Sequence, residues 1–145
     1  MDDRNVQQVW QRVRAAGEEV PKNDLRLLQR EAMELAAIYR GLMPQFTGRQ
    51  QEQARQLYLG EKANGAALAG LGVLSYQSEE QLKLWQPGKE PVKKLLEKCY
   101  HRARRCMTEY MARSAEVEYG VVFQKLADRE GQHCALIAEL LGSLG

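Results

Sequence analysis

At 145 residues the chain is long enough for one hydrophobic core and short for two domains. A net charge of +2, with 28% charged residues, gives no electrostatic case for nucleic acid or an anionic membrane surface as a partner. Apolar runs only a few residues long exclude a helical membrane span, and three cysteines (Cys99, Cys106, Cys134) without a CxxC spacing argue against a disulfide framework or a rubredoxin-like module.

The opening Met1-Asp2-Asp3-Arg4 is acidic and leads into no apolar signal core, so a cytoplasmic location is expected. Val6, Val9, Trp10 and Val13 share one face of a short helix, which sets residues 1–22 apart as an N-terminal helical arm and leaves 23–145 as the main domain. Next, Leu25, Leu28, Ala32, Leu35, Tyr39, Leu42 and Phe46 follow a 3-4-3-4 spacing that lines one helix face. Asn23 or Asp24 is the expected cap of this helix and Pro44 its end. A second helix is predicted from about Arg49 to Tyr76, with Ala54, Leu57, Leu68 and Leu71 inward. Its glycines each cost about 1 kcal/mol of helix propensity but permit close approach of a neighbour. Residues Gln77 to Glu90 form the one long connection, and Pro91 suits the first turn of a third helix. That helix carries Leu96, Cys99, Ala103, Cys106 and Tyr110 inward, with the basic cluster Lys93, Lys94, Lys98, His101, Arg102, Arg104 and Arg105 on solvated outer faces. Ser114 is the expected N-cap of a fourth helix, with Glu116 in its first turn. Phe123, Leu126, Ala127, Glu130, Ile137 and Leu141 turn inward, and Gly142 and Gly145 mark its end. Two short loops and one long crossover among four helices define an all-α, ferritin-like four-helix bundle with one long crossover connection.

The chain also repeats itself. Adding 71 carries Leu28, Ala32, Leu35 and Tyr39 onto Cys99, Ala103, Cys106 and Tyr110. Adding 69 carries Leu57, Glu61, Asn64, Leu68 and Leu71 onto Leu126, Glu130, His133, Ile137 and Leu140. Two similar helical hairpins are therefore expected, the offset changing in a loop where length is tolerated.

Glu61 and Glu130 are the informative positions. Each interrupts the apolar stripe of its helix, where a lone ionised carboxylate costs several kcal/mol unless paired, protonated or bound to metal. His133 follows Glu130 by three, and residues so spaced are neighbours on a helix and can reach one ion. Cys134 is a small core residue on this reading.

In these residues the sequence resembles the ferritin-like superfamily, and rubrerythrins most closely. The stretch Phe123-Gln-Lys-Leu-Ala-Asp-Arg-Glu130-Gly-Gln-His133 is similar to the fourth-helix signature of those proteins, and Glu61-Lys-Ala-Asn64 to the second-helix motif with its histidine replaced. Tyr39 and Tyr110 look like the tyrosines that follow, by seven residues, the lone ligating glutamates of helices one and three. Those glutamates are missing: Ala32 and Ala103 stand in their places, and Glu31 and Glu34 point off the stripe. Of the six ligands the resemblance implies, Glu61, Glu130 and His133 remain, with Ala32, Asn64 and Ala103 as degenerate positions and Tyr39 and Tyr110 beside the site.

Two carboxylates underneutralise a pair of iron ions. The expectation is thus a non-catalytic or at most weakly metal-binding module with no cofactor or one weakly held metal, self-associating as a dimer. The alternative is a rubrerythrin-like di-iron oxidoreductase that reduces peroxide or oxidises ferrous iron. It would draw extra ligands from Glu31 or Glu34 through an altered register, or from a swapped partner chain, and take electrons from an external donor.

Overall fold

The structure is a computed structural model that describes residues 22–71, 88 and 90–144. The expected N-terminal arm, apart from Lys22, and most of the long connection lie outside the described residues. Among the described residues the fold is all-helical: α1 (Lys22–Leu42), a 3-10 turn (Met43–Gln45), α2 (Gly48–Ala69), α3 (Val92–Arg113) and α4 (Gly120–Ser143). No described helix is long and apolar enough to cross a membrane.

Each helix forms because its apolar positions recur at the helical period and find a common partner surface. Every residue of the α1 stripe is buried, from Leu25 to Phe46, and so are Leu96, Cys99, Ala103, Cys106 and Tyr110 of α3. Helix α1 packs along α2 and α3 along α4, while α2 also meets α4 and α1 meets α3. One apolar cluster draws on all four helices. The positions related by the two offsets are buried in both hairpins, Leu68 with Ile137 and Leu71 with Leu140 among them.

Several expected boundaries move. Asn23 and Asp24 lie inside α1 and not ahead of it. Pro44 occupies the 3-10 turn that follows α1, and Gly48 adopts φ 57°, the left-handed conformation that turns the chain into α2. Helix α2 stops at Ala69, with Gly70 as its C-cap, well before Tyr76. The glycine-rich stretch that follows is where propensity is poorest. Pro91 is the N-cap of α3, one residue ahead of its first turn, where its missing N–H is not needed.

Ser114 does not cap α4. It closes α3, its Oγ donating to the Met111 carbonyl at 2.6 Å, and α4 begins only at Gly120 with Tyr119 as its N-cap. The intervening turn folds so tightly that a Cβ at Gly120 would come within 2.4 Å of the Ser114 carbonyl oxygen, which only glycine accommodates. At the other end Leu140 is buried, Leu141 is half-buried but packs against the core as expected, and Gly142 lies within the helix.

Candidate metal centre

Glu61 on α2 and Glu130 and His133 on α4 meet in the middle of the core, with ligand atoms that all lie within 4.8 Å of one another. All three are buried, both glutamates completely. His133 Nδ1 stands 3.0 Å from Glu61 Oε1 and 3.6 Å from Glu130 Oε2. Asn64 Nδ2 donates to Glu130 Oε1 at 2.9 Å, and Arg129 Nη1 donates to Asn64 Oδ1 at 2.7 Å.

These contacts are reciprocal. Positions 64 and 133 are equivalent under the 69-residue offset, as are Glu61 and Glu130. Asn64 bonds the glutamate of the other hairpin, and His133 does the same in return. A further self-equivalent pair spans α1 and α3: Arg102 lies 71 residues after Glu31 and holds it through Nε at 2.7 Å and Nη2 at 2.8 Å. Such reciprocity is the mark of an isologous, two-fold interface, here formed within one chain.

The two carboxyls differ in charge. Burial, then the Glu130 charge and a hydrogen bond with Glu130, hold the Glu61 carboxyl well above the usual range, with the Arg129 charge opposing. Burial also pushes Glu130 up, but hydrogen bonds from Glu61, His133 and Asn64 outweigh it and hold Glu130 below its ordinary value. One proton therefore stays with the pair, on Glu61, and Glu130 is the anion. Written as two carboxylates, Glu61 Oε2 and Glu130 Oε2 have no hydrogen-bond partner, and the retained proton supplies the missing donor.

The hydroxyls of Tyr39 and Tyr110 are also buried without a hydrogen-bond partner. Burial, and secondarily the nearby acids, raise both phenols. The Tyr39 ring meets the His133 ring edge-on at 6.4 Å between centroids. Two buried phenols without a hydrogen-bond partner, near acids that share one proton, mark a polar interior that a cation and its water would satisfy. Two carboxylates and an imidazole suit a borderline or hard divalent ion such as ferrous iron, manganese or zinc.

Ala32 and Ala103 are fully buried, and neither offers a ligand atom. Glu31 and Glu34 are engaged elsewhere, both accepting from Arg102, whose Nη2 reaches Glu34 Oε2 at 2.9 Å. Arg102 is thus no solvated outer residue, and its hydrogen bonds to Glu31 raise its already high pKa. Arg102→Ala is expected to leave two half-buried carboxylates side by side and to lower stability by about 1–2 kcal/mol, more at low salt than at 1 M. Urea unfolding at the two ionic strengths measures this, and an effect independent of salt would remove the electrostatic account.

The three cysteines are free and buried. Burial raises the Cys99 thiol to about 12 and also raises Cys106 and Cys134, so none is a poised thiolate.

Sequence reasoning gave Gly60 a close approach of a neighbouring helix but not its place against the imidazole. A Cβ there would lie 2.1 Å from His133 Nε2, so the bare α2 backbone forms the seat of the imidazole. Comparing the residue before each glutamate, Gly60 against Arg129, would have exposed this.

The chain matches no protein-family model, and no similar curated protein or solved structure was found. The class defined by fold and site is an all-helical protein with a buried Glu-Glu-His group able to hold a metal ion.

Proposed function

We propose that the chain is a ferritin-like four-helix bundle with a long crossover, akin to rubrerythrins, in which a dinuclear centre has been reduced to a site for one divalent metal ion. Glu61, Glu130 and His133 hold the ion, which replaces the proton shared by the two acids. The observation that carries the reading is the convergence of these three buried ligands within 4.8 Å, on oxygens that otherwise lack a donor.

Di-iron oxidoreductase chemistry has less support. Four carboxylates normally offset two iron ions, and the acids nearest in sequence to the missing positions, Glu31 and Glu34, are committed to Arg102. The bundle acts instead as a structural or interaction module whose core is secured by a proton or a metal ion.

Titration of the chelator-treated protein with cobalt(II) or zinc(II) is expected to reach one ion per chain. Uptake should release a proton and tighten with rising pH, as a competing proton requires. His133→Ala should abolish binding without unfolding the protein. No uptake at millimolar metal would remove the metal reading, and two irons per chain in protein purified without chelators would favour the oxidoreductase.

A further inference from the structure

Resting on the reading of the core as a metal site, we infer that Arg129 is a tethered cation closing the second half of that site, and that the pair of residues 60 and 129 sets how many ions the core accepts. The two half-sites are related by the reciprocal contacts already described. On one side Gly60 precedes Glu61 and leaves its space to His133; on the other Arg129 precedes Glu130 and donates to Asn64.

Positions 60 and 129 are equivalent under the 69-residue offset, so residue 129 faces residue 64 as Gly60 faces His133. At Gly60 even one carbon would come within 2.1 Å of the imidazole. An imidazole at 64 in the orientation of His133 therefore collides with any side chain at 129. Asparagine is short enough to fit, and its Oδ1 takes the Arg129 N–H at 2.7 Å while its Nδ2 serves Glu130. Asn64 is fully buried, so this relay brings a guanidinium charge to the acid pair through a single amide. Arg129 also lowers the proton affinity of Glu61, as a cation near the acids must. A positive charge is thus held behind Asn64, next to the second half of the site, fixed by a covalent tether and independent of metal supply.

The sign of one substitution separates this role from a merely structural one. A fixed cation competes with a metal ion for the same acids, so Arg129→Gly should bind cobalt(II) more tightly, by about tenfold. Arg129→Lys should stay near the wild type. Asn64→His with Arg129 retained should gain no second ion, whereas Asn64→His/Arg129→Gly should bind two per chain, read from the cobalt d–d absorption and from elemental analysis. Unchanged or weaker binding by a folded Arg129→Gly protein would overturn the inference, as would two ions bound by Asn64→His alone or by the wild type. One ion in both the wild type and the folded double variant would overturn it while leaving the single-metal reading in place. Absence of cobalt from both the wild type and Arg129→Gly would overturn that reading, and this inference with it.

Discussion

Glu61→Gln is expected to match the metal-free wild type at about pH 4 and to be more stable than it at neutral pH, while Glu130→Gln should cost about 2–3 kcal/mol in urea unfolding with chelator present. The two glutamates occupy equivalent positions, so a difference of this size reflects their protonation and the partners that go with it. A neutral Glu61 donates one hydrogen bond to Glu130 and accepts from His133 Nδ1 when the imidazole proton sits there. A glutamine amide reproduces both roles, with its NH2 as donor and its carbonyl as acceptor. At position 130 the ionised carboxylate accepts from Asn64 and from the Glu61 hydroxyl, with His133 Nδ1 3.6 Å away. A glutamine there sets an NH2 group against the Glu61 hydroxyl and leaves one donor buried without an acceptor. Both variants should lose metal binding, which separates the ligand role from the stability role. Equal losses from the two substitutions would contradict the assignment of the proton.

The same assignment fixes a pH dependence. In the unfolded chain Glu61 releases its proton near pH 4.3, whereas in the folded chain it retains it well above that value. Between those limits the folded state binds more protons than the unfolded one, so stability falls as pH rises, by about 1.4 kcal/mol per unit from this group. Glu130 acts in the opposite sense: its lowered pKa contributes stability that is present above about pH 4.3 and lost below it. Glu61→Gln should flatten the decline above pH 5, and saturating metal should do the same.

Gly60→Ala should be strongly disruptive, costing about 2–3 kcal/mol and abolishing metal uptake. By propensity alone the change would stabilise α2 by about 1 kcal/mol. Sterics decide the sign, because the new carbon falls 2.1 Å from a ring nitrogen that the tightly packed core cannot move far. Either the imidazole leaves the acids or α2 shifts away from α4. The second-site change His133→Ala, itself mild in the metal-free state, should recover the lost stability when combined with Gly60→Ala. The double-mutant cycle would then show strong coupling between residues on different helices. Additive losses would mean that the ring and the glycine do not share this space.

Much of this arrangement was legible in the sequence because the apolar stripes of α1 and α3 are regular and a charge inside a stripe stands out. Glu61, Glu130 and His133 were visible on that ground, and Ala32 and Ala103 were legible as buried members of their stripes. Helix ends were less legible: Ser114 has the chemistry of an N-cap, yet its hydroxyl serves the carbonyl of Met111, and the intervening turn postpones α4 to Gly120. Arg102 was assigned to solvent because a cation on a polar face carries no sign of which acid it will meet across a helix pair. The particular roles of Gly60 and Arg129 were not legible for a related reason. Their significance lies in what they do to a residue on the other hairpin, and helical periodicity describes one helix at a time.

The pairing of Glu31 with Arg102 has a consequence for the two halves as separate pieces. In an exact duplicate the residue facing Glu31 would be another glutamate, so a liberated first hairpin meeting its own twin in this way would confront acid with acid. With opposite charges at the two places, each half prefers the other over itself, and neither can stand in for its companion. The covalent joining of the halves is thereby matched by a preference written into their surfaces, and reversing it would require changes on both sides at once.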